Sequence, residues 1–157
     1  MLEWTAVDRI IDAALAEDIG AVDLTSEIVV PDGTRATFVL RTREEIVVAG
    51  LGVAEAVFRR RAPECGFEPG AADGDRVAPG TVLATVTGPA RALLTAERTA
   101  LNLLSHMSGI ATLTRRYVDR IAGTTAQLID TRKTTPGLRA IEKHATTLGG
   151  ARNHRLD

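Results

Sequence analysis

Lysine is missing from the first 132 residues, and only Lys133 and Lys143 occur in the 157-residue chain. There is a single cysteine, Cys65, so no internal disulfide can form and a reducing, cytoplasmic setting is expected. Aromatic residues make up 3% of the chain, too few to build the stacking platforms of a nucleic-acid binder, and no basic run suits a phosphate track. No apolar run approaches the roughly 20 residues needed to span a membrane. The opening residues, Met1 to Arg9, carry acids and no hydrophobic stretch, which predicts no signal peptide. The apolar share, 45%, is ample for a packed core.

Charge is divided unevenly. Residues 1–90 hold 8 Arg and 15 acids, a net −7, whereas residues 91–157 hold 9 Arg, 2 Lys and 5 acids, a net +6. An anionic ligand is therefore expected in the second half.

The first half reads as mixed helix and strand. Thr5 is placed to cap a helix with Val7, Ile10, Ile11, Ala14 and Leu15 on one face, stopped by Gly20. An acidic, turn-rich connection covers 17–25. Alternation predicts a strand over 36–41, and a second is expected over 45–49. Gly50 then opens a helix to about Arg60, where Arg59, Arg60 and Arg61 complement the helix dipole rather than form a binding patch. Asp73 to Leu83 reads as a tight β segment similar to the turn of biotinyl and lipoyl carrier domains. Those domains attach their cofactor to a lysine, and with no lysine in the β region that function is excluded.

Thr95 is placed to cap a long helix with Glu97 in its first turn. Ser108-Gly109 is expected to interrupt it, with a second piece running from about Ile110 to Ile121. A domain boundary is placed there, giving an α+β unit over 1–108 and the first part of an α/β barrel over 109–157. Ala126 to Ile129 reads as a short buried strand, and Leu138 to Leu148 as a helix closed by Gly149-Gly150.

Between them lies the stretch that carries chemistry. Arg132, Lys133, Thr134 and Thr135 should sit on a loop at the carboxyl end of a strand, where α/β sheets place ligand sites. These donors suit a carboxylate or phosphate, because arginine offers a flat fork and lysine a compact charge. The loop by itself could equally be a solvated basic surface. A second cluster, Asn153-His154-Arg155, at the start of the next strand, favours an anion site at one end of a βαβ unit.

Thr131 to Arg139, Glu142-Lys143, Gly149-Gly150 and Asn153 to Arg155, with the upstream segment Leu93 to Thr112, resemble quinolinate phosphoribosyltransferases in the order of their motifs. The similarity runs from about Glu17 to the last residue. Ala151 stands where the family usually has a third glycine, and His144 where it usually has an aromatic residue. The resemblance implies transfer of phosphoribosyl from phosphoribosyl pyrophosphate to quinolinate with decarboxylation, giving nicotinate mononucleotide. It implies that Arg132 and Arg155 pair with the two substrate carboxylates, that His154 meets the ring end, and that Thr131 offers backbone or hydroxyl contacts. Lys133, between the carboxylate and phosphoribosyl sides, is the best catalytic candidate. By the same resemblance, a further lysine and the acids that serve the sugar and metal are expected beyond Asp157. Arg98 is implied to reach a neighbouring subunit's site, and hence a homodimer. Mg²⁺ is expected with the pyrophosphate, on ligands outside this sequence. A barrel takes about 250 residues, so a fragment, inactive alone, is expected. A related pyrophosphorylase-like protein acting on another base, and a non-catalytic assembly module, are the competing readings.

Overall fold

A computed structural model describes residues 2–19 and 28–154. The Gly20 stop and most of the acidic connection fall outside these residues, as do Arg155 and Asp157.

Helix α1 (Trp4–Ile19) buries Val7, Ile10, Ile11 and Leu15 on its expected face. Its first turn is closed by the Glu3 carbonyl, which accepts the Ala6 and Val7 N–H groups at 3.1 Å. Thr5 therefore lies inside the helix and does not cap it. Strand β1 (Arg35–Arg41) points Ala36, Phe38 and Leu40 toward the core in alternation. It pairs antiparallel with β5 (Val82–Pro89), which pairs antiparallel with β3 (Gly66–Pro69), giving the order β1-β5-β3. The sequence pattern hides β3 because glycine, glutamate and proline in four residues fit only an edge position. The strand expected over 45–49 shrinks to β2 (Ile46–Val47), paired with β4 (Arg76–Val77) in a separate ribbon.

Helix α2 (Leu51–Arg61) starts from Gly50 at φ 102°, a left-handed conformation that also keeps a side chain off Met107. The Asp73 carboxylate accepts the Gly50 and Leu51 N–H groups at 2.9 Å each, so the carrier-like turn serves to cap α2. Of the three arginines at its end, Arg59 pairs with Glu55 and Arg60 with Asp8 and Asp12 of α1. Cys65, 3% exposed, lies against the central strand, where a Cβ added to Gly88 would come within 3.2 Å of its own Cβ.

Helix α3 (Ala90–Arg120) is one continuous run of 31 residues. Two expectations fail here. The helix starts five residues before Thr95, whose hydroxyl donates to the Arg91 carbonyl at 2.9 Å as an interior residue. Ser108-Gly109 does not break it either. The Ser108 hydroxyl is used laterally, accepting the Ala49 N–H at 3.1 Å and donating to the Ala49 carbonyl at 3.2 Å. One turn further on, Thr112 Oγ1 accepts the Val47 N–H at 2.8 Å. These hydroxyls satisfy backbone groups of β2 and of Ala49 just after it.

Beyond α3, Ile129 and Arg152 form a parallel bridge, with Arg152 N–H donating to Leu128 O and Asp130 N–H to Arg152 O, both at 2.9 Å. Helix α4 (Arg139–Leu148) connects the two, a strand–helix–strand crossover as the sequence implied. The first strand is not buried as expected: Ala126 and Gln127 are exposed and Ile129 is 54% exposed. Among the described residues it pairs on one edge only, and a parallel strand is covered when both edges and faces are filled.

Gly149 fixes how α4 meets α3. A Cβ there would lie 2.5 Å from Thr114 Cβ and 2.6 Å from the Ala111 carbonyl, whereas one at Gly109 would meet nothing within 4 Å. Gly149→Ala is expected to destabilise by about 1–3 kcal/mol through overpacking. Gly109→Ala should stabilise by about 0.5–1 kcal/mol through helix propensity. Urea unfolding of the two variants checks both signs.

Candidate active site

The loop after Ile129 is held by its neighbours rather than by its own cations. Thr131 Oγ1 accepts the Lys133 N–H at 3.1 Å, a local turn that fixes the first residues. Thr135 N–H donates to Glu142 Oε2 at 3.1 Å, closing the loop onto the first turn of α4. Glu142 Oε1 lies 3.0 Å from His106 Nε2 on α3, and since a carboxylate only accepts, that nitrogen carries the hydrogen. Burial by itself would raise the Glu142 carboxyl, but hydrogen bonds from Thr135 and His106 outweigh it and hold the group below its ordinary value. A single carboxylate thus links α3, α4 and the loop.

Asp130 and Lys143 form a second link. Lys143 Nζ sits 3.0 Å from Asp130 Oδ2, with side chains only 10% and 3% exposed. Asp130 Oδ1 accepts the His154 N–H at 2.7 Å across 24 residues of chain. The two strand ends therefore meet at Asp130. A pocket of about 440 Å³ opens beside them, lined by His106, Ile110, Thr131, Lys133, Thr134, Glu142 and Lys143 among others. On the other side of the loop, a hollow of about 630 Å³ is lined by Thr134 to Gly137, Arg139, His144, Glu3 and, from α1, Ala6. His144 is half-buried there. Burial pushes its imidazole below the ordinary value, and the Asp73 charge opposes this only in part.

Of the residues singled out in the sequence, Thr131 and Lys133 line the 440 Å³ pocket. Arg132 and His154 are exposed beside it, with His154 tied in through its backbone. Arg155 lies just past the described residues, and so does Asp157, beyond which the sugar and metal groups are expected. Arg98 is not among the pocket's residues. It lies on α3 with its side chain 74% exposed, bonded to Asp18 of α1 at 2.9 Å. Sequence reasoning assigned nothing to Asp130, Glu142, Lys143 or His106. The available signal for Asp130 was an acid placed directly before a run of donors. For His106 there was none, because its partner lies 36 residues away. Among the described residues no three His, Cys, Asp or Glu side chains converge as metal ligands.

An α+β layer, a helix continuing into a parallel strand–helix–strand unit, and donors gathered at the strand ends define an α+β domain running into the start of an α/β unit. The chain belongs to the quinolinate phosphoribosyl transferase family: residues 23–108 match its N-terminal domain and residues 110–157 its C-terminal domain. It is 45% identical over 154 residues to a probable nicotinate-nucleotide pyrophosphorylase (carboxylating) of Synechocystis, covering 98% of this chain and 52% of that protein. It is 46% identical over 157 residues to the corresponding protein of Mycobacterium leprae, covering 98% of this chain and 55% of that one. The crystal structure of NadC from Streptococcus pyogenes superposes with a TM-score of 0.94 at 39% identity, covering 99% of this chain and 56% of that one. The nicotinate-nucleotide pyrophosphorylase of Francisella tularensis gives 0.94 at 33%, covering 100% of this chain and 55% of that one. The chain spans about half the length of these relatives. Its fold is accordingly the family's α+β N-terminal domain followed by the beginning of an α/β barrel.

Glu142 makes a pH prediction. Its folded value lies below the ordinary 4.5, so its contribution to stability is fully present above pH 4.5 and is lost as the pH falls through the lowered value. Glu142→Gln should lower stability by about 1–3 kcal/mol at pH 7, with the difference from the parent vanishing in acid. Denaturant unfolding from about pH 3 to about pH 7, which brackets the carboxylate titration, checks it.

Proposed function

We propose that this chain supplies part of an enzyme that joins quinolinate to phosphoribosyl pyrophosphate, forming nicotinate mononucleotide, carbon dioxide and pyrophosphate. The observation that carries this reading is the Asp130–His154 hydrogen bond, which draws the Arg132-Lys133 loop and the Asn153-His154 strand end to one place. Two cationic clusters so joined suit a dianion. Arg132 and Arg155 each pair with one carboxylate of the pyridine ring, His154 meets the ring end, and Thr131 adds hydroxyl or backbone contacts. Bidentate pairing orients the ring nitrogen toward the anomeric carbon of the sugar. The nitrogen's lone pair forms the new bond as the bond from that carbon to the pyrophosphate oxygen breaks. Lys133, at the pocket wall, stands between the carboxylate and phosphoribosyl sides, where its charge stabilises the transferring group. With the ring nitrogen cationic, the adjacent carboxylate departs as carbon dioxide. Its bonding electrons stay on the ring carbon, which then takes a proton.

Mg²⁺ belongs to the pyrophosphate donor in this reading, and no step is routed through it. Arg98 serves the site of a second subunit in a homodimer, a reading supported by the 74% exposure of its side chain. The setting is cytoplasmic, in keeping with the lone buried thiol. No helix of the described residues is long and apolar enough to cross a membrane.

Calorimetric titration tests the substrate. Quinolinate should bind at least about tenfold more tightly than nicotinate, which leaves one arginine unpaired, and Arg132→Lys should weaken quinolinate binding about ten- to a hundredfold. Equal affinity for the two ligands would instead favour a protein of the same fold acting on another base.

The subunit reading has its own measurement. Dimers mixed from Arg98→Ala and Arg132→Ala subunits should recover one quinolinate site per hybrid, while neither parent variant binds well. Exchanged hybrids with no recovered site would place Arg98 in its own chain's service, with Asp18.

A further inference from the structure

Among the described residues the parallel pair of strand ends shows one bridge, and a side chain takes the next rung. With Arg152 N–H on Leu128 O and Asp130 N–H on Arg152 O, the next rung of a parallel ladder would run from His154 N–H to the Asp130 carbonyl. The His154 N–H instead donates to the Asp130 carboxylate at 2.7 Å. The side chain has taken the place of its own backbone acceptor, a competition open to short acidic residues. The His154 N–H is thereby taken off the ladder. The same carboxylate, 3% exposed, neutralises the buried Lys143 ammonium at 3.0 Å. A negative charge beside a site for a dianion would ordinarily oppose binding. Here its charge is matched by Lys143 and only its geometry is felt.

We propose that Asp130 is a positioning residue of the anion site: its carboxylate sets where His154 stands relative to the Arg132-Lys133 loop. The proposal rests on the reading of these cations as the quinolinate site. Asp130 itself touches no ligand and acts through the His154 backbone.

Removing the carboxylate alone takes the Asp130 charge away from a buried ammonium, which can unfold the region. Two double variants avoid this, Asp130→Asn/Lys143→Met and Asp130→Ala/Lys143→Met. Both lack the ion pair, and they differ in whether an oxygen remains for the His154 N–H. Amide hydrogen exchange at His154 and calorimetric binding of quinolinate are measured on both, with circular dichroism as the control for folding. The alanine variant should exchange at His154 at least about tenfold faster than the asparagine variant, and bind quinolinate about five- to twentyfold more weakly. Equal exchange, or faster exchange with quinolinate affinity equal in the two variants, overturns the proposal. A parent chain that does not bind quinolinate at all overturns the substrate reading instead. The comparison is then made with inorganic pyrophosphate as the anion, under the same two criteria.

Discussion

A straight helix offers one apolar stripe along its whole length, and α3 has to bury that stripe over 31 residues against different partners in succession. At about 1.5 Å per residue it spans roughly 46 Å. Its start packs on the sheet, its middle on α2 and its far part on α4, with Leu93, Ala96, Ala100, Met107 and Ala111 fully buried in turn. Small side chains at Ala96, Ala100, Ser108 and Ala111 let neighbours approach, and hydroxyls at Ser108 and Thr112 bond the backbone of β2 and the residues after it. Because the helix is unbroken, the N-terminal sheet and the strand-end loop are rigidly indexed to each other. His106 extends this indexing to the loop through Glu142.

Around that loop, charge is divided by burial. Glu142 and Asp130, both largely covered, are consumed in holding backbone: Thr135 in one case and His154 in the other. Lys143 is buried with Asp130. Arg132, Lys133 and His154 are left exposed. The acids build the site and the cations face outward, so the region keeps its positive potential although it contains two carboxylates.

Much of this was legible from residue order because it is local. The alternation of β1, the Gly50 start of α2 and the Gly149-Gly150 end of α4 each depend on neighbours a few residues away. What failed depended on distant ones. Thr95 and Ser108-Gly109 carry helix-boundary residue types, but inside α3 their hydroxyls bond within the helix or to Ala49, and Gly109 faces open space. The strand at 126–129 was apolar enough to suggest burial, yet burial needs covering partners that a local pattern does not contain. The loop's cations could be read from composition. Its organising groups could not, since Asp130 meets Lys143 and His154, and Glu142 meets His106, only after folding. Arg98, carried over from the family's motif, has a partner in its own chain in Asp18, 80 residues away.

Cys65 gives the molecule a built-in clock. Its thiol is the only one in the chain, it lies under the central strand, and burial pushes its ionisation above the ordinary value. The thiolate that reacts with alkylating reagents is therefore both scarce and shielded while the sheet is closed. Modification has to wait for β3 and β5 to separate, so the labelling rate measures how often the N-terminal sheet opens, independently of events at the strand-end loop. A ligand bound only at the loop would slow that clock to the extent that α3 transmits its stabilisation to the sheet.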